Sequence, residues 1–113
     1  MPTEDELAKA RTEVAHFRRW CRANVDALLW IRARAMAYEA RGREFSVRHI
    51  FECLRWDSGI ALEGDKHASV PNVFAPIIAR CLVANRPGMR DLVRINPSVY
   101  DWVELPDVFG GMP

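Results

Sequence analysis

Fourteen of the sixteen basic side chains in this 113-residue chain are arginine, the exceptions being Lys9 and Lys66. Arginine presents a planar fork of donors that matches phosphate, carboxylate and base edges, whereas lysine is a point charge. The formal net charge of +1 conceals a sorted pattern: residues 18–55 carry +5 and residues 80–94 carry +3, between stretches that are net acidic. Arg43 and Arg48 lie late in the first block, and Arg80, Arg86, Arg90 and Arg94 make up the second. With Asn72, whose amide can meet a base edge, these six arginines are the candidate DNA-binding residues. Arginine on phosphate supplies affinity without sequence preference, and a side chain at a base edge supplies specificity. Two plainer readings stand beside this one. A GC-rich genome raises arginine over lysine with no functional cause, and arginines also solvate a face or pair with the three carboxylates of residues 95–113.

Other residue types carry less. His49 and Cys53 are four apart and share a helical face, the one spacing in the chain that resembles a metal pair; a histidine beside a buried cysteine is the simpler reading. Cys21, Cys53 and Cys81 are odd in number and widely spaced with no C-x-x-C pair, and are expected as reduced, mostly buried thiols. Glu52 falls between His49 and Arg55 on what reads as one exposed helical face. There is no P-loop, Gly-rich dinucleotide turn, H-E-x-x-H or G-x-S-x-G, so no catalytic residue, metal or cofactor is expected and the chain does not read as an enzyme.

The elements that must position these side chains are mostly helices. Thr3-Glu4-Asp5-Glu6 fits a capping box, and Leu7, Ala10, Val14, Phe17 and Cys21 recur at helical spacing behind it. Asn24 reads as a fresh N-cap for a second helix with Ala27, Leu28, Ile31, Ala35 and Tyr38 on its apolar stripe, stopping at Gly42. Ser46 caps a third helix carrying Val47, Ile50, Phe51 and Leu54. Residues 57–72 read as a polar loop with room for a short strand. Asn72 then caps a fourth helix with Phe74, Ile77, Ile78, Cys81 and Leu82 buried, ended by Pro87-Gly88. Leu92–Ile95 and Val99–Glu104 are β-prone runs either side of Asn96-Pro97-Ser98, the pattern of a β-hairpin. Trp30 and Trp56 are expected in the core. The tail has too little apolar content for an element of its own and is expected to fray.

Helices followed by a hairpin are the order of a winged helix-turn-helix domain. The expected fold is therefore mainly α with a small β-hairpin, divided into an N-terminal amphipathic helix (1–23), a winged-helix-like core (24–105) and a flexible tail (106–113). In that fold the fourth helix enters the major groove and the hairpin is the wing, which makes double-stranded DNA the expected partner. No apolar run is long enough to span a membrane and the N-terminus is acidic where a secretion signal is basic, so no membrane contact is expected and the expected location is the cytoplasm.

Phe45-Ser46-x-x-x-Ile50-Phe51-Glu52-x-x-Arg55-Trp56, followed by Asn72-x-Phe74-x-x-x-Ile78-Ala79-Arg80, Pro87 and an aliphatic-Arg segment, resembles a family of small phage and prophage proteins of unassigned activity. The resemblance spans residues 25 to 96. It departs at Pro71 and Val73, where the family pattern has Asn. It implies a helix-turn-helix-like core and a bacterial host cell as the setting. The functional expectation is a small phage-type DNA-binding regulator or accessory factor. The alternative is a phage-encoded module that binds or inhibits a host protein, for which four Trp, five Phe and two Tyr supply anchors. Homodimerisation through the first helix fits either.

Overall fold

The computed structural model describes residues 1–62 and 70–112. Four helices carry it: α1 (Glu4–Ala23), α2 (Val25–Ala40), α3 (Val47–Asp57) and α4 (Ala75–Asn85). The helix starts and stops follow local chemistry. Thr3 and Glu6 form the expected reciprocal capping box on α1, and Ser46 Oγ accepts the His49 amide at the start of α3. Gly42, at φ +62°, ends α2 while the Gly42 and Arg43 amides return to the carbonyls of Glu39 and Tyr38. Asn24 separates α1 from α2 but does not cap forward. Its side-chain amide instead donates back to the Trp20 carbonyl at 2.9 Å.

The core is shared by all four helices. Phe17 of α1 meets Phe74 edge-on at 5.3 Å, and Trp20 meets the same ring at 5.9 Å. Phe74 closes a single turn of 3-10 helix over Asn72–Phe74, and α4 continues from it without a side-chain cap. Ala75, Ile77, Ile78, Ala79, Cys81, Leu82 and Val83 of α4 are all buried. A helix that is apolar on most of its circumference lies inside a protein. α4 is accordingly the most buried of the four helices; only Pro76, Arg80, Ala84 and Asn85, along one side, are not buried, and Arg80 there is held by Asp101.

The expected β-hairpin is absent, and with it the wing. Among the described residues there is no strand, and a lone parallel bridge joins Phe45 to Val93. The run from Val99 to Trp102 is a 3-10 turn, opened by a capping box in which Ser98 Oγ accepts the Tyr100 amide and Asp101 accepts the Ser98 amide. Asp101 is further held by Arg80, so the turn is fastened to α4. The β preference of Val99, Tyr100 and Trp102 is worth a fraction of a kcal/mol per residue, and a cap with an ion pair overrides it. The mainly-α part of the expectation stands; the winged-helix architecture does not. Residues 63–69 of the loop expected at 57–72 lie outside the described residues, as does any strand placed there.

Two apolar residues sit elsewhere than composition suggests. Trp56, expected in the core, is 81% exposed near the end of α3, whereas Trp30 is partly buried with the Arg34 guanidinium over its ring at 5.4 Å. Residues 106–112 form no helix or strand, yet Phe109 is completely buried in the common core. Truncating a fully buried Phe costs about 3–5 kcal/mol. Phe109→Ala should lose stability on that scale in a denaturant titration, and a loss below about 1 kcal/mol would show a tail that does not anchor the core.

Candidate functional site

The connector between α2 and α3, residues 41–46, carries Arg43 outward and Phe45 inward. Phe45 is buried and stacks on Tyr38 of α2, with ring centroids 5.4 Å apart and planes 15° apart. Its backbone is also tied. The Phe45 amide donates to the Leu92 carbonyl at 2.9 Å, and the Arg94 amide donates to the Phe45 carbonyl at 3.0 Å. These two bonds draw the segment after α4 against the start of α3. Arg94 thereby stands beside a connector some fifty residues away in sequence.

Two adjoining depressions flank this junction and share Ser46 and Arg94. One, of about 420 Å³, is lined by Tyr38, Arg43, Glu44, Phe45, Ser46, His49 and Arg94. The other, of about 430 Å³, is lined by Ser46, Val47, Arg48, Ala75, Pro76, Arg94 and Asn96. Together they form a groove bearing three exposed guanidinium groups from two chain segments, with Glu44 as the one carboxylate among its lining residues. Among the described residues, none of Arg43, Arg48 and Arg94 takes part in an ion pair. The groove also abuts the amino end of α3, where the helix dipole adds partial positive charge.

The remaining candidates are spoken for or lie apart. Arg80, its side chain only 10% exposed, donates through Nε to Asp101 at 2.7 Å and through its two terminal nitrogens to the carbonyls of Pro76 and Asn96. The guanidinium of Arg80, followed by the Ser98 amide, holds the Asp101 carboxyl below its usual range. Arg86 pairs with Glu39 of α2 at 2.7 Å. Asn72 accepts from Arg55, which also bonds the Val70 carbonyl. Arg90 is exposed but lines neither depression. The second basic block therefore divides: Arg80 and Arg86 tie elements together, and Arg94 joins Arg43 and Arg48.

Tyr38 and His49 belong to the groove and were not singled out for it by the sequence, Tyr38 because it reads as one more apolar position of α2. His49 Nε2 lies 3.7 Å from Cys53 Sγ, with the ring exposed and the thiol buried. Among the described residues no group of three or more His, Cys, Asp or Glu side chains could hold a metal ion. Burial pushes the Cys21 and Cys81 thiols up to about 12, which leaves both neutral and poorly nucleophilic near neutral pH. No helix among the described residues is long and apolar enough to cross a membrane.

Compared with known proteins, the chain matches no family model, no curated protein and no solved structure.

The division among the arginines has a direct consequence for stability. Removing Arg80 takes one donor from Asp101, which keeps the Ser98 amide, and one from each of the Pro76 and Asn96 carbonyls, and hydrogen bonds to charged groups contribute about 1.5–3 kcal/mol. Arg80→Ala should therefore lower unfolding stability by about 2 kcal/mol, while Arg43→Ala and Arg94→Ala should stay within about 0.5 kcal/mol of the parent. Equal losses at all three positions would mean that the groove arginines are structural too.

Proposed function

We propose that this protein binds DNA through phosphate contacts made by Arg43, Arg48 and Arg94 in the groove at the start of α3. The observation that carries the reading is the convergence of three exposed arginines, unpaired among the described residues, at a concave surface. Nearby uncompensated cations repel one another, so a surface that gathers them is suited to an anion. A row of phosphates supplies several negative charges at the required reach. The proposal needs neither a wing nor a recognition helix, because phosphate contact depends only on converged cations. The phage-type setting and the regulatory or accessory role implied by the family resemblance go with the same proposal.

A second reading, docking onto a host protein, is favoured by Trp56 and Trp102, which are 81% and 56% exposed. Tryptophan is enriched at binding hot spots. Double replacement of these two with serine should abolish that docking while leaving DNA affinity intact.

Each phosphate contact releases counterions, so affinity for DNA falls with salt along a line whose slope reports the number of contacts. Binding measured across a salt series should weaken for Arg48→Ala and for Arg94→Ala, each reducing the slope by about 1. Arg86→Ala should leave the slope unchanged. Absence of binding at low salt, or a slope indifferent to Arg48 and Arg94, would overturn the proposal.

A further inference from the structure

We propose that the depression beside Tyr38 receives an unpaired nucleotide, so that the groove takes single-stranded nucleic acid in preference to a duplex. The inference rests on the DNA-binding reading above and narrows its substrate class. Three observations carry it: the shape of the site, the aromatic ring that borders it, and, among the described residues, the burial of α4 and the absence of a hairpin.

The depression of about 420 Å³ falls within the range of about 300–1,000 Å³ typical of sites for small organic ligands. A paired base is stacked on both faces and shows a protein only its edge. A concave site of this size can enclose a base only after the base has left its stack, which costs least in a strand that is already single. A side chain or helix that reads a duplex must project outward instead. α4 is buried on most of its surface, with Arg80 on its remaining side held by Asp101, and no hairpin is present among the described residues.

Tyr38 supplies the platform. Tyr38 is half-buried, one face of its ring lies against Phe45, and the ring borders the depression. Phe45 is fixed in turn by burial and by the two backbone bonds to Leu92 and Arg94, which makes Tyr38 a backed, pre-set surface rather than a free side chain. Single-strand sites combine this feature with cations that track the backbone, since every base has a π face. Here Arg43 and Arg94 line the same depression as Tyr38, and Arg48 continues the positive path into the adjoining one. A base on Tyr38 would place its flanking phosphates toward the arginines. The exposed ring of His49 stands on the same rim as a further donor. Because stacking does not depend on base identity, the site is expected to tolerate any base.

The test is fluorescence anisotropy with a labelled oligothymidine and with a labelled duplex of the same length, on the intact protein at low salt. The single strand should bind at least about tenfold tighter, Tyr38→Leu should weaken it about tenfold while leaving the duplex unaffected, and Tyr38→Phe should retain full affinity. An oligothymidine carrying a photoactivatable thymine should cross-link to Tyr38 itself in the unmodified protein, a measurement that needs no variant to fold. Duplex binding that is salt-dependent but equal to or tighter than single-strand binding would overturn this inference and leave the DNA-binding reading in place. So would single-strand binding indifferent to Tyr38→Leu, or a cross-link that falls elsewhere. Failure of both probes to bind would overturn the two together.

Discussion

Two backbone hydrogen bonds decide where the chemistry of this protein can sit. The Phe45 amide to the Leu92 carbonyl and the Arg94 amide to the Phe45 carbonyl fasten the segment after α4 to the connector before α3. Both Phe45 and Val93, the bridged pair, are buried, so water does not compete well for these bonds. Without them the place of Arg94 would depend on its neighbours alone, buried Val93 and the Asn96 carbonyl held by Arg80. With them it stands across a groove from Arg43 and Arg48, and Phe45 is held where it backs Tyr38. A core contact and a surface site are thus consequences of the same bridge.

The arginines show how similar side chains acquire different work from their surroundings. Arg80 and Arg86 face carboxylates contributed by other elements, Asp101 and Glu39, and serve as ties between those elements and the end of the chain around α4. Arg80 adds two backbone carbonyls to its carboxylate, which fixes its fork in one orientation. Arg43, Arg48 and Arg94 meet no such partner among the described residues and keep their charge for solvent or a ligand. The net charge of +1 is consistent with both roles, because a protein can be nearly neutral in total while a few uncompensated cations define one small surface.

The helices were legible from sequence because their signals are local. Thr3 with Glu6, Ser46 and Gly42 mark ends that the backbone bonds reproduce. Residues 92–104 were misread as a hairpin because side-chain preference there points to β structure, whereas the outcome turns on a cap at Ser98 and on Arg80, which is remote in sequence. The buried circumference of α4 was visible only in part: Ile77, Ile78 and Leu82 announce one face, but Ala75, Ala79 and Val83 show their burial only once the neighbouring elements are packed around them. Phe109 is a single aromatic in a tail otherwise poor in apolar residues, and nothing in its surroundings marks it as an anchor. Of the seven candidate site residues, three converge. Arg43 and Arg48 were legible as neighbours, but their meeting with Arg94 depends on a bridge between distant backbone groups that no residue pattern encodes.

The central claim is that the ligand meets the arginines gathered by that bridge and not those that tie the helices together. The side-chain Nε–H resonances of arginine distinguish the two sets directly when followed by NMR during titration with a short oligonucleotide. The account predicts that the signals of Arg43, Arg48 and Arg94 shift in a saturable, salt-sensitive manner while those of Arg80 and Arg86 stay in place. Shifts centred on Arg80 and Arg86, or spread evenly over all fourteen arginines, would contradict it.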